Sequence, residues 1–212
     1  MKIVVHAAGA MREEFFSRTI PLGTRIAAVE SPFNFIDHPD ASIFFDLEPD
    51  PDNREFYQRL SPLPVIVNSV IDGLSAYRYL PNIARINAWP GMINRSILEL
   101  VCKDPLTTKN IEICLNKMTW NYRFVPDIPG MVSARMIAMI INEAYFALGE
   151  KVSSREEIDI AMRTGTNYPL GPFEWASRIG VGKVLQLLQK MNEENGRYNI
   201  APALLEEVQI SA

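Results

Sequence analysis

Cysteine, histidine, basic excess and long apolar runs are all scarce in this sequence, and each scarcity excludes something. Two cysteines, Cys102 and Cys114, stand among 212 residues. Their spacing suits neither a metal site nor a disulfide framework, and such usage fits a reducing compartment. No run approaches the roughly 18 to 20 consecutive apolar residues that a membrane span needs. The start, MKIVVHAAGAMREEF, carries a single lysine before an apolar run too short for a secretory signal. Lysine and arginine number 21 against 25 acidic residues, for a net charge of −4 and a pI near 5.3. That balance lacks the electrostatic footprint of a nucleic-acid binder. The expectation is a soluble cytoplasmic protein with neither a membrane nor a nucleic acid as partner. Histidine occurs twice, as His6 and His38, and no serine, histidine and acid fall at the spacing of a nucleophile elbow. The acidic run DLEPDPD reads as a strand end followed by a helix start, so no metal is expected.

What is present is ordinary globular material, 48% hydrophobic and 22% charged, in a chain long enough for one large domain or two small ones. The first half alternates short apolar runs with turns and helices. KIVVHA (2–7) reads as a strand buried on both faces, because its apolar run is continuous rather than alternating. TRIAAVE (24–30), ASIFFDL (41–47), LPVIVNSV (63–70), ARINAW (84–89) and SILELVC (96–102) continue the series, and NYRFVPD (121–127) can close it. AMREEFFSR, DPDNREFYQRL and residues 107–118 read as helices, the last with Thr107 as its N-cap. Strands alternating with helices predict a parallel, doubly wound sheet.

From Asp127 onward the pattern is helical. In PDIPGMVSARMIAMIINEAYFALGE, Asp127 is placed to cap a helix, Pro129 suits its first turn and Gly149 ends it. Ser153 with Glu156, or Ser154 with Glu157, makes a capping box for the next helix, which Gly165 stops. Gly171-Pro172 opens a third, Gly180 separates it from VGKVLQLLQKMNEEN, and APALLEEV is a last short piece. The apolar residues of the first of these helices cover nearly every face. A helical half of about 85 residues is small for a single core, so it is expected to lean on the first domain, on a second subunit, or on both. Met131, Met136 and Met139 read as core or interface filler.

The first strand-to-helix turn is where a dinucleotide binds in such sheets. Its fingerprint needs glycines so that the backbone can approach a pyrophosphate at a helix N-terminus. Here the letters are Ala7-Ala8-Gly9-Ala10-Met11-Arg12, with the middle glycine alone kept. Arg12 either stands between helix and strand or points outward toward a phosphate. Glu30, at the end of the second strand, is placed to take a ribose hydroxyl, and His6 ends the first strand on the ligand side.

PDIPGMVSAR, NEA (142–144), EEID (156–159), AMRTGTNYPLGPFEW (161–175) and IGV (179–181), in that order and spacing, resemble the C-terminal domain of the 3-hydroxyacyl-CoA dehydrogenase family. ASIFFDLEPDPDN, PVIVNSV and RINAWPG followed by ILELV are similar to segments of that family's NAD-binding domain. The resemblance implies a shortened Rossmann-like α/β domain over residues 1–125 and an all-α domain of the 6-phosphogluconate-dehydrogenase type over 126–212. The helical hairpin that helps hold coenzyme A in the family is missing from the first domain. The resemblance also implies a homodimer joined through the helical domain, and NAD as the cofactor, held by Gly9, Arg12, Glu30 and His6.

The family's reaction moves hydride between NAD and a 3-hydroxyacyl thioester. A histidine acts as base, a glutamate orients it, and a serine and an asparagine assist at the substrate oxygen. Carried onto this chain, the set comes apart. Matching Pro90 puts Ile86 at the histidine's place; matching Glu99 to the glutamate puts Asn87 there. Neither is a general base near neutral pH. Asn68 keeps the asparagine of the family's Asn-Thr-Ser strand, but Val70 replaces its serine. Ala134 replaces the asparagine that precedes Arg135. Glu99 and Asn68 are therefore the remaining catalytic candidates. The expectation is a family member without the family's dehydrogenase reaction, acting as a ligand-binding or regulatory dimer for a small acyl or nucleotide-like ligand. Two alternatives stand beside it: an NAD-dependent 3-hydroxybutyryl-CoA-type oxidoreductase using displaced groups, and a structural module without a ligand.

Overall fold

The computed structural model of the protein describes residues 1–211. The chain forms two compact units, Met1–Met131 and Val132–Ala212. The first holds a seven-stranded sheet: β1 (Lys2–His6), β2 (Arg25–Val29), β3 (Ile43–Asp46), β4 (Val65–Asn68), β5 (Ile83–Ile86), β6 (Leu98–Val101) and β7 (Tyr122–Phe124), in the order β2-β1-β3-β4-β5-β6-β7. Two helices accompany it, α1 (Gly9–Phe16) and α2 (Pro105–Lys117).

β1 to β5 are parallel, as the buried apolar runs predict, but β6 runs antiparallel to β5, with Ile86 opposite Leu100. The sheet is therefore mixed rather than wholly parallel. The reason is the connection: the residues between Ile86 and Leu98 form a loop with no helix, and a parallel crossover needs a dozen or more residues, usually including one. β7 then pairs parallel to β6 across the α2 crossover.

Side chains alternate between two cores. On one face Ile3, Val5, Phe45, Ile66 and Leu100 pack with Phe15 of α1 and Ile111 and Leu115 of α2. The rings of Phe15, Phe45 and Trp120 meet edge-on there. On the other face Val4, Phe44, Val65 and Val67 pack with Phe35, Tyr57, Leu60 and Tyr77 from the connecting segments. The stretch Pro51–Leu60, expected as an α-helix, consists of 3₁₀ turns that break at Asn53. α2 begins earlier than expected: Asp104, not Thr107, is its cap, accepting from the Thr107 N–H at 2.7 Å.

The second unit contains α3 (Ser133–Gly149), α4 (Arg155–Thr166), α5 (Pro172–Ile179), α6 (Val181–Asn195) and α7 (Pro202–Ser211). α3 packs against α5, α6 and α7. Asp127 does not cap α3, which starts six residues later with Val132 at its N-cap and no side-chain cap. The carboxylate is drawn instead to Arg85, whose guanidinium is fully buried and needs a counter-charge. Asp127 also accepts from the Leu74 N–H and pairs with Lys103. The capping box of α4 is the Ser154–Glu157 choice. Gly165 lies inside α4; the helix ends at Asn167, whose left-handed conformation (φ 56°) closes the last turn.

The motif residues of this unit are architectural. Asn142 of NEA donates to the Asn199 carbonyl at 2.8 Å and accepts from the Ala201 N–H at 2.9 Å, fixing the chain that leads into α7. Asp159 of EEID accepts from the N–H groups of Phe173 and Glu174 and so caps α5. A methyl group on Gly171 would lie 2.2 Å from the Asp159 carboxylate, so this glycine is required for space. Arg135 reaches Tyr198, donating to its hydroxyl at 3.3 Å with the guanidinium over the ring.

Candidate functional site

The strand order reverses at β1: β2 lies on one side of it and β3 on the other. In open α/β sheets, connections departing to opposite sides open a crevice above the carboxyl ends of the strands, where ligands bind. Four residues expected to meet a cofactor, His6, Gly9, Arg12 and Glu30, come from the ends of β1 and β2 and the start of α1.

Gly9 has φ +48°, a conformation that L side chains rarely adopt, and no atom lies within 4 Å of where a Cβ would stand. The turn is thus open toward solvent. Arg12 does not plug the gap between helix and strand. Its guanidinium lies beside the Phe16 ring and 3.5 Å from the Glu30 carboxylate, with both side chains exposed. Pairs of this kind contribute little and exchange partners readily. An open turn with a movable arginine fits the approach of a nucleotide at this edge.

His6 has a more ordered setting than strand-end polarity requires. Its Nδ1 lies 2.8 Å from Asp46, its register partner on β3. Asp46 is fully buried and accepts further hydrogen bonds from the Tyr57 hydroxyl at 2.6 Å and the Glu48 N–H at 3.2 Å. The hydrogen bond to Asp46 raises the pKa of His6; burial opposes it, and the charges of Asp46, Glu48 and Glu30 add to the rise. Burial, together with Asp46, pushes the Tyr57 phenol far above its ordinary value, so it stays a donor. Asp46 and Tyr57 escape a sequence reading because they are separated from His6 in the chain. The register of β1 against β3 supplies the first contact, and the fold of the 51–60 segment supplies the second.

The residues carried over from the family's catalytic set lie elsewhere. Ile86 is buried in the core on the α1 side of the sheet. The β5–β6 register, continued by one residue, sets Asn87 opposite Glu99, and the Asn87 N–H donates to the Glu99 carbonyl at 3.2 Å. The backbone thus brings the Glu99 position beside Asn87, yet the Asn87 side chain is buried and accepts from the Trp89 N–H. Asn68 is committed to the fold: its amide donates to the Leu47 carbonyl and accepts from the Ala88 N–H, both at 3.1 Å, tying the ends of β3 and β5 together. Val70 and Ala134 are buried. His6 and Asn68 end strands of one sheet edge, while Ala134 belongs to the other unit.

Loop 87–97 is held by α1. Glu14 accepts from the N–H groups of Gly91 and Asn94, and Arg18 donates to the carbonyls of Ile93 and Arg95. The acidic run 46–52 is occupied by local structure, with Asp46 on His6 and Asp50 capping the turn at Asp52. Among the described residues no cluster of histidine, cysteine and acidic side chains is arranged to hold a metal. Among the described residues no helix is long and apolar enough to cross a membrane.

Comparison with known proteins agrees with the helical motifs. Residues 130–211 match the family model described as 3-hydroxyacyl-CoA dehydrogenase, C-terminal domain. Over 81 residues, 38% of the chain, it is 43% identical to a 3-hydroxyadipyl-CoA dehydrogenase of Escherichia coli K12, spanning 17% of that protein. Over 85 residues, 39% of the chain, it is 35% identical to a 3-hydroxybutyryl-CoA dehydrogenase of Bradyrhizobium diazoefficiens, spanning 29% of that protein. These matched stretches are well under two thirds of either relative. The fold resembles the crystal structure of (S)-3-hydroxybutyryl-CoA dehydrogenase from Ralstonia eutropha over 99% of this chain and 94% of that one, at TM-score 0.73 and 18% identity. It also resembles a 3-hydroxybutyryl-CoA dehydrogenase from Escherichia coli K12, over 88% and 43% of the two chains, at TM-score 0.67 and 18% identity. The architecture is thus a Rossmann-like α/β domain followed by a helical domain. Residues 130–211 carry the C-terminal domain of the 3-hydroxyacyl-CoA dehydrogenase family.

Proposed function

We propose that this protein is a member of its family that has given up the family's dehydrogenase reaction and acts as a cytoplasmic ligand-binding dimer, with a nucleotide such as NAD as the ligand class. The observation that carries this reading is the Asn87–Glu99 pair. The β5–β6 pairing sets Asn87 beside Glu99, the position the resemblance gives to the orienting glutamate, and a buried amide there cannot take a proton from a hydroxyl. With Ile86 in the core, the other alignment supplies no base either.

The open Gly9 turn, Arg12, Glu30 and His6 are the residues that would hold a nucleotide. NAD, when bound, supplies a hydride acceptor; this chain's part is to bind and orient it. The dimer reading draws on α3 and α4, between which Met136, Met139, Ile140, Ile158 and Met162 line an open apolar groove of about 400 Å³. Met136 is 52% exposed, and a second copy covering that face removes apolar surface from water.

A second reading, an oxidoreductase with a displaced base, is favoured by one observation: His6 is paired with a buried carboxylate as a general base would be. Titration with NADH by fluorescence and with acetoacetyl-CoA by calorimetry tests the binding reading, which expects saturable binding of NADH. Flat titrations with both would contradict it and leave the helical domain as an assembly module.

A further inference from the structure

The relay at the ends of β1 and β3 is built toward an outside partner. Asp46 takes the Nδ1 side of His6 and is backed by Tyr57. A carboxylate on Nδ1 makes that nitrogen the donor and fixes the orientation of the ring. Nε2 is then the free nitrogen. Among the described residues no group bonds it, and it is not among the buried polar atoms lacking a partner, so it reaches solvent although the side chain is only 13% exposed. A histidine serving only to neutralise Asp46 would not need to sit at the strand-order reversal with its second nitrogen uncovered.

The surroundings indicate what that nitrogen meets. The groups acting on the ring are Asp46 from β3, Glu48 just beyond it and Glu30 from the end of β2, with the Tyr57 hydroxyl behind Asp46. Arg12 pairs only loosely with Glu30, both side chains being exposed. A ring surrounded by carboxylates repels a bare anion. It suits hydroxyl groups, which accept from an imidazolium and donate to neighbouring carboxylates. We propose that His6 reads a ribose-type hydroxyl of a ligand seated over the carboxyl ends of β1 and β3, and that Asp46 and Tyr57 are positioning residues behind it. This rests on the reading that the sheet edge holds a nucleotide-like ligand.

The test uses the full chain, with NADH and inorganic pyrophosphate as probes. In wild-type protein the His6 ring resonances shift on adding NADH and stay in place with pyrophosphate. NADH affinity falls as pH rises through the His6 titration. His6→Gln weakens NADH binding about tenfold below that titration, the size of one charge-assisted hydrogen bond, and flattens the pH profile. Tyr57→Phe moves the His6 titration midpoint and weakens binding less. Unshifted ring resonances on NADH saturation overturn the proposal even if no variant folds, as does a His6→Gln profile that coincides with the wild type. In both cases the nucleotide reading itself survives. An equal shift with pyrophosphate overturns the hydroxyl assignment. Failure of wild-type protein to bind NADH at any pH removes both readings.

Discussion

His6 shows how one side chain ties stability to pH. Its folded pKa lies above the ordinary 6.5, first because of the hydrogen bond to Asp46. The proton is held more tightly in the folded state, so the contribution is full below about pH 6.5 and is lost as pH rises through the folded pKa. Urea denaturation of the wild type is expected to show stability declining across that window. His6→Gln should remove that part of the slope; an unchanged slope would contradict the assignment. Asp46→Ala leaves the buried Tyr57 hydroxyl without its acceptor and His6 without its counter-charge, and should cost about 1 to 3 kcal/mol, measured by the same denaturation. At this scale the sequence was informative by type but silent on partners. The residues His6, Gly9, Arg12 and Glu30 could be named from the first strand and its turn. Asp46 and Tyr57 could not, because the contacts that recruit them depend on strand register and on the 3₁₀ path of residues 51–60.

At the scale of elements, the capping chemistry of the helical unit decides how α4 and α5 meet. Asp159 closes the start of α5 across a glycine that leaves no room for a methyl group. Gly171→Ala should therefore destabilise by about 1 to 3 kcal/mol, as overpacking does. Asp159→Ala should cost about 1 kcal/mol, as the loss of a cap does. Thermal melts of both variants check this, and a Gly171→Ala melt equal to wild type would refute the packing account. Elements with strong local signals were legible: the buried parallel strands, the Ser154 box, the Gly171-Pro172 start. Those misread had local signals that a distant partner overrode. Asp127 looks like a cap from its neighbours in sequence, but the buried charge of Arg85 claims it. β6 looks like one more parallel strand until the short helix-free loop before it forces a reversal. Gly165 continues α4, and Asn167 ends it, because a glycine permits a turn without requiring one.

At the scale of the whole molecule, motif residues of 130–211 serve the scaffold: Asn142, Asp159 and Gly171 fix the chain into α7 and the start of α5. This explains why family and fold were readable from the sequence while the site was not. The apolar face of α3 and α4 predicts association of copies. Light scattering at micromolar concentration is expected to give a dimer, and Met136→Glu with Met139→Glu should shift it toward monomer while keeping the helical circular dichroism. A monomeric wild type would contradict the dimer.

The central claim is that the place beside Glu99 holds the Asn87 amide and no base. The most direct measurement is steady-state oxidation of NADH by the purified chain with acetoacetyl-CoA at saturating concentration, followed at neutral pH beside a no-protein control. The account predicts a rate equal to the control in a sample that still binds NADH saturably. Turnover above the control, lost on His6→Gln, would contradict it and establish His6 as a displaced base.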